Sequence, residues 1–480
     1  MAYEYDMIVI GGGAAGLVAS GMAALLGAKT ALIEEHRLGG DCTWTGCIPS
    51  KTLLRAASVA HQTRSADRYG LLSSSPRIDF SRVMQHVKRV REHVYREADA
   101  PPNFEKLGVA VIPARARFVD PHTLELQGPA PHPGRLTSRY FVVATGSRAR
   151  MPEFKAPVLN NESIFELEEQ PRRLLVLGAG PIGVEMAQAF RRLGSEVTVT
   201  APCSGILDKD DPELTNPLRD ALAGEGISFR LGRKTVQVES RDGDLSAPFD
   251  DGSTLECDAV LAAIGRQPVV EDLGLEEAGI AFDRTGIQID RRCRTSQRHI
   301  YAAGDVAGRF LFTHMAEHMS KVAVSNAILH LPASIDEDHI TWCTFTDPEL
   351  ARVGASEEDV RKRGHKYSVY RFPFTKLDRA ITEGATIGLV KVLAASNGGI
   401  LGVSILGENA GEMIGEWAVA MRNGLKVKHV ADTIHPYPTY VLGNRRAADQ
   451  WYSKQLNSPL VDLLGKLFRY RGIRKRNIQI

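Results

Sequence analysis

Cysteine is scarce in this chain. Six in 480 residues are too few for a disulfide-stapled secreted scaffold and point to a reducing cytoplasm, where a close cysteine pair signals redox or metal chemistry more often than a staple. Also missing is any run of about 18 apolar residues, so no membrane span is expected. A basic-then-apolar leader is absent too, since MAYEYDMIVIGGG runs straight into a strand pattern, and a cytoplasmic protein is expected. Neither sign of charge is in excess: 59 Lys and Arg stand against 57 Asp and Glu, which removes the general reason to expect nucleic acid. The 43% hydrophobic and 24% charged content is that of a globular chain. Its length is beyond one hydrophobic core, so about two to four domains are expected.

What is present begins at the first strand. Tyr5 to Ile10 is an apolar run, and Gly11, Gly13 and Gly16 follow as G-x-G-x-x-G. Ala14 to Leu26 reads as a helix, and Lys29 to Glu35 as a second strand with a carboxylate at its end. Glu34 lies 18 residues after Gly16, close to the spacing at which an acid meets a ribose hydroxyl. The glycines let backbone approach a pyrophosphate on the positive end of the helix. Strand, helix, strand and acid together predict a dinucleotide site.

The design recurs. Arg173 to Leu177 is a strand, Gly178, Gly180 and Gly183 form the triplet, and Ser195 to Ala201 is the next strand. Ala201 stands where the first copy has Glu34. Its lack of a carboxylate removes a bias against a 2′-phosphate, yet no arginine follows closely to hold one, so NADH and NADPH both stay open. Each copy is later followed by an apolar strand ending in glycine, at Gly146 in YFVVATGSRA and Gly265 in DAVLAAIGRQP. The duplication predicts two nucleotide-binding domains.

Six segments then resemble one family, the two-cysteine flavoprotein disulfide reductases, which include dihydrolipoamide dehydrogenase, glutathione reductase and mercuric reductase. They are IVIGGGAAG, GGDCTWTGCIPSK, VVATGS, VLGAGPIGVEMA, TSQRHIYAAGDVAG and FTDPELARVG, in the family's order. The resemblance implies an α/β fold: two Rossmann-like domains, for FAD and NAD(P), plus a C-terminal α+β interface domain that pairs two subunits. The FAD domain would comprise residues 1–150 and 271–340, the NAD(P) domain 151–270, the interface domain 341–455, and a basic amphipathic tail 456–480. By the same comparison FAD binds at Gly11, Gly13, Gly16 and Glu34, with Asp305 of YAAGD at its ribityl and phosphate region. Gly178, Gly180 and Gly183 would hold NAD(P)H.

Cys42 and Cys47 are five residues apart. A regular helix would separate them by about 7.5 Å along its axis, whereas a disulfide wants Cα atoms within about 7 Å. An irregular turn is therefore expected, with Gly46 giving it freedom and Pro49 at the start of a helix continuing through Leu54. As a staple so short a loop would do little. As a metal clamp it lacks a third Cys or a His nearby. A redox pair remains the best reading. The resemblance makes Cys47 the flavin-side thiol, Cys42 the interchange thiol, Lys51 the lysine beside the flavin and Glu185 its ion-pair partner. Electrons would pass from NAD(P)H to FAD, to a Cys42–Cys47 disulfide, and on to substrate.

Three departures qualify the resemblance. The active-site strand carries Asp41 and Trp44 where dihydrolipoamide dehydrogenases usually have Thr and Asn. Family members acting on disulfides or dithiols supply a base from a His-Pro-Thr segment, with a glutamate five residues on; here the stretch is TIHPYPTYVLGNRR. Aligning Pro438 and Thr439 puts Tyr437 in the base position and Leu442 in place of the acid. Shifting to His435 recovers a His, but Tyr440 then replaces the acid. A phenol with a pKa near about 10 is a poor base at neutral pH, so weak dihydrolipoamide turnover is expected unless His435 reaches the thiol. A Tyr there is similar to mercuric reductase, whose substrate is a soft metal ion, although the C-terminal vicinal cysteines and N-terminal metal module of that enzyme are missing. Cys203, Cys257, Cys293 and Cys343 read as core residues rather than ligands.

Finally, Leu460, Leu463, Leu464, Leu467 and Phe468 recur at helical spacing, with Lys466, Arg469, Arg471, Arg474, Lys475 and Arg476 as the basic set. A helix packed on the protein is the plainer expectation. A weak membrane-surface contact beside a quinone is the sharper one.

Overall fold

A computed structural model describes residues 3–72, 76–128, 134–241, 244–456 and 459–470. Its contacts separate two compact units, Met1–Gly178 with Ala189–Thr200 and Arg233–Ile335, and Ala179–Gln188 with Ala201–Gly232 and Asp336–Ile480.

In the first unit, strands β1 (Tyr5–Ile10), β2 (Thr30–Glu34), β3 (Val109–Pro113), β4 (Arg135–Val143), β5 (Arg173–Leu177), β6 (Glu196–Ala201), β7 (Ala259–Ala262) and β8 (Ile300–Ala302) build two sheets. One runs β3-β2-β1-β4-β8, all parallel. The continuous apolar reading of β1 follows from burial on both faces. Met7 and Val9 enter one core cluster, Ile8 and Ile10 another. The first cluster lies under α1 (Ala14–Leu25) and the helix Thr313–Ala327, whose Ser320 hydroxyl donates to the Ala15 carbonyl at 2.8 Å. The second sheet repeats the pattern with β6-β5-β7, also parallel. The observed β1, β2, α1, β5 and β6 lie within a residue of the expected boundaries.

The segment around the cysteines differs from expectation. Asp41 and Trp44 lie not on a strand but on a five-residue helix, α2 (Gly40–Trp44), and α3 (Cys47–Arg64) starts two residues before Pro49 and runs ten past Leu54.

The second unit holds a five-stranded antiparallel sheet, in the order Thr341–Thr344, Glu349–Gly354, Ile400–Gly407, Leu389–Ala395, Tyr367–Pro373. Its core is centred on the fully buried Trp417 of the helix Ala410–Arg422. Lys391 on Leu389–Ala395 is buried to 3% side-chain exposure and pairs with Asp211, Glu213 and Glu357 at 2.5, 2.7 and 2.5 Å. Burial works against its charge, but the three carboxylates outweigh it and hold the ammonium above its ordinary pKa. These three acids are close enough to clamp a cation. The lysine already fills that place.

Candidate active site

Cys42 sits on α2 and Cys47 opens α3, so Thr45 and Gly46 form the irregular step between them. Gly46 has φ −129° and ψ −108°, and a Cβ on it would come 2.7 Å from the Asp41 carbonyl. Both cysteines are thiols in this structure. Cys42 hydrogen-bonds Cys47, and this bond, with burial and the charge on Cys47, holds the Cys42 proton far above the usual thiol range. Cys47 Sγ also lies 3.3 Å from the Thr313 hydroxyl. Lys51 is one turn further along α3.

The two unusual residues of α2 anchor it. Asp41 pairs with Arg266, whose Nε and Nη2 also donate to the Ser147 hydroxyl and carbonyl at 2.7 and 2.8 Å. Trp44 is 5% exposed; its Nε1 donates to the Leu38 carbonyl at 2.7 Å, and its own carbonyl accepts from Arg91 at 2.9 Å. The Arg37 guanidinium stacks 3.4 Å from the indole centroid. Thr43 donates to Asp99 at 2.5 Å.

The glycine triplet after β1 is built for close approach. Gly11 has φ +102°, and a Cβ there would lie 2.4 Å from the Ala144 carbonyl; one on Gly16 would lie 1.8 Å from the Gly11 carbonyl. Gly13 is the N-cap of α1 and supplies no side-chain cap, which leaves the helix start open to an anion. Glu34 Oε2 accepts from the Gly12 amide at 2.6 Å, and its Oε1 from the His36 amide at 2.8 Å. Asp305 accepts from the Ser147 hydroxyl at 2.5 Å, faces Arg266 at 3.6 Å, and is raised in pKa chiefly by burial. Gly146 (φ +72°) and Gly265 (φ +113°) lead into short strands that pair antiparallel, Ser147–Ala149 with Arg266–Pro268. That pairing delivers Arg266 to Asp41 and Asp305.

The second triplet copies the first: Gly178 has φ +110°, and its Cβ would lie 2.3 Å from the Ala263 carbonyl. Gly183 and Glu185 fall on the helix Pro181–Leu193, with Gly180 just before it. Glu185, 4% exposed, accepts from the Phe345 amide at 2.9 Å. Strand β6 ends at the buried Ala201.

The pyridine nucleotide-disulphide oxidoreductase profile matches residues 5–320, and its dimerisation domain matches 340–445. This chain belongs to that family. It is 33% identical to a dihydrolipoyl dehydrogenase of Bacillus subtilis (strain 168) over 92% of this chain and 96% of that one. It is equally 33% identical to a mercuric reductase of Lysinibacillus sphaericus, over 93% and 82%. Among solved structures, LpdA from Mycobacterium tuberculosis superposes with a TM-score of 0.87 at 26% identity, covering 93% of this chain and 99% of that one. The HOCl-induced flavoprotein disulfide reductase RclA from Escherichia coli, as its Cu(II) complex, gives 0.83 at 27%, covering 94% and 100%. Members of the family bind FAD and use NAD(P)H. The open helix start at Gly13 and the closed approach of Gly11 and Gly16 fit a pyrophosphate group here. The fold class inferred from sequence is that of the family, and the dimerisation domain supports a homodimer. No helix among the described residues is long and apolar enough to cross a membrane.

The C-terminal segment holds the remaining two expected site residues, Tyr437 and His435. Tyr437 is 68% exposed, and its hydroxyl bonds Asp378, a carboxylate that raises the phenol's pKa. His435 is 9% exposed, with Nδ1 at 2.9 Å from the Thr433 carbonyl and Nε2 at 2.7 Å from Glu416. Glu416 is further held by Asn444 at 2.8 Å. A His–Glu pair thus exists, but its acid comes from the helix Ala410–Arg422, 19 residues before the histidine. No spacing rule would have found it. The other cysteines divide: Cys257 and Cys293 are buried core residues, while Cys203 and Cys343 are half-buried.

Proposed function

We propose that this chain is an NAD(P)H-dependent reductase that delivers electrons through Cys42 and Cys47 to a soft metal ion or a small disulfide. Bound FAD supplies the two-electron relay between the nicotinamide and the cysteine pair. Gly11, Gly13, Gly16, Glu34, Gly146 and Asp305 would hold it, and Gly178, Gly180, Gly183 and Gly265 would hold NAD(P)H. Lys51 and Glu185 would form the ion pair beside the flavin. With a disulfide acceptor the two thiols lose two electrons and two protons, close the Cys42–Cys47 bond, and release two thiols of product. Cys47 stands at the amino end of α3, where the helix dipole favours negative charge, which supports Cys47 as the thiolate and leaves Cys42 as the thiol that meets substrate.

The observation that carries the substrate class is the C-terminal segment. Both ring nitrogens of His435 are engaged, by Thr433 and Glu416, which argues against a free base for dihydrolipoamide oxidation. Tyr437 is the exposed group, and Asp378 keeps its phenol protonated. A proton-keeping phenol suits metal ions or disulfides better than dithiol deprotonation.

The test is an acceptor panel of Hg(II), glutathione disulfide, lipoamide and quinones with both reduced nicotinamides, on wild type, Cys42→Ser and Cys47→Ser. Either substitution should lower reduction of Hg(II) or a disulfide at least about 100-fold. Rapid dihydrolipoamide oxidation by the wild type would instead favour a dehydrogenase serving a lipoyl protein.

A second reading, quinone reduction at a membrane surface, is favoured by one observation. On Pro459–Leu467 and just beyond, Leu463, Leu467 and Phe468 are 62%, 69% and 60% exposed, so the expected packing of this helix on the protein fails at those positions. The Leu460 side chain and residues 471–480 lie outside the described residues. Quinone reduction that survives both cysteine substitutions would establish this reading.

A further inference from the structure

A second cleft in the first unit belongs to neither nucleotide motif. It is a depression open to solvent of about 390 Å³, within the usual range for a small-molecule site of roughly 300–1,000 Å³. It lies on the helix side of the parallel sheet, at the start of β8 and the end of the helix Thr313–Ala327, and Asp305 follows the far end of β8. Arg292, Arg294, Arg298, His299, Tyr140 and His330 face it. The sequence signal is RRCRTSQRH, Arg291 to His299, with four arginines in nine residues.

The loop is organised in advance. The Asp290 carboxylate accepts from the amides of Arg292 and Arg294 at 2.8 and 3.0 Å, and from the Arg294 guanidinium at 2.9 and 2.7 Å. Buried Cys293 between them takes φ +62°. Arg292 and Arg298 are exposed and, among the described residues, pair with no carboxylate. Cations at a helix carboxyl end need no ligand to explain them. A further donor is Tyr301. It lines the cleft at 4% exposure, and no described residue hydrogen-bonds its hydroxyl. Burial pushes that phenol up to about 12, so it stays a donor.

The lining is therefore almost all donors, with no carboxylate in it. The Asn326 amide is spent on the carbonyls of Arg292, Val322 and Ala333, and His299 Nε2 on that of Pro121. Guanidinium forks and phenols facing one space call for a ligand that only accepts and carries several negative charges. A monocarboxylate would leave most donors unfilled. We propose that this cleft binds a small anion bearing two or more phosphate groups. The chemistry is shared by inorganic polyphosphates and by nucleoside phosphates, whose base could lie against the rings of Tyr140 and His330, 6.2 Å apart.

Calorimetric titration of the FAD-loaded protein, saturated with oxidised nicotinamide nucleotide so that its pyrophosphate cradle is filled, tests this. The probes are tripolyphosphate and ATP, at an ionic strength of about 0.15 M where loose surface attraction is screened. One anion should bind per subunit, and the doubly substituted Arg292→Gln, Arg298→Gln protein should bind at least about tenfold more weakly, with unchanged melting temperature and unchanged NAD(P)H-driven reduction. Tighter binding of ATP than of tripolyphosphate would assign the site to nucleotides, and equal binding to the phosphate chain alone. Absence of saturable binding by either probe, or equal binding by wild type and the double variant, overturns the proposal.

Discussion

At single residues, the two departures on α2 draw their partners from both near and far along the chain. Asp41 and Trp44 look from sequence like simple departures from a pattern. In the structure Asp41 takes Arg266 and Trp44 takes Arg37 and Arg91. Arg266 was in plain view in DAVLAAIGRQP, but no periodicity links a strand end to a helix 225 residues earlier. The placement of Glu34 and the glycines was legible because it depends on local backbone. Adding a methyl at Gly16 puts carbon 1.8 Å from the Gly11 carbonyl. Gly16→Ala should therefore yield protein purified with little or no flavin, read from visible absorbance, and a melting temperature several degrees lower. For Tyr437, bonded to Asp378, Tyr437→Phe should reduce turnover about tenfold without moving the pH profile between pH 6 and 9, because the phenol does not titrate there. A lost alkaline limb would instead make it a base.

At the level of elements, what sequence reading recovered is what hydrophobic period and glycine punctuation encode. Strands β1, β2 and β5 emerged nearly to the residue, since each is a short apolar run bounded by glycine or charge. Helix α2 did not, because five residues are too few for a period. Nor did the pairing of Lys391 with Asp211, Glu213 and Glu357, which joins a strand to the starts of two helices. Lys391→Met should destabilise the second unit by about 3–5 kcal/mol at pH 7, since it removes the buried cation that three carboxylates share, of which Glu213 keeps its Arg371 partner. Arg371 and then Lys391 hold Glu213 down to about 2. A carboxyl depressed in the folded state contributes stability above its unfolded pKa and loses it as pH falls from about 4.5 towards 2. The wild-type melting temperature should fall across that window. The deficit of Lys391→Met should shrink over the same range as these acids take up protons. A deficit independent of pH would mean that lost packing, not charge, is responsible.

For the molecule as a whole, sequence and packing divide the chain on different grounds. Duplication and family resemblance draw an FAD domain, an NAD(P) domain, an interface domain and a tail; contacts draw two units, with residues 151–270 contributing to both. We propose the former as the functional division. The tail carries its own prediction: if the exposed Leu463, Leu467 and Phe468, with the arginines after them, seek an anionic bilayer, the full chain should float with phosphatidylserine liposomes and a chain ending at residue 455 should not. Recovery of both in the soluble fraction would leave the helix for another partner. Helix α2 carries Cys42 of the proposed redox pair, and beside the Thr43–Asp99 and Trp44–Leu38 hydrogen bonds its charged attachments are arginines at Asp41 and Trp44. Dissolved electrolyte thus becomes a governor of the electron exit: at high salt α2 should loosen, and Cys42 should be alkylated faster than Cys47, which is rooted in an 18-residue helix.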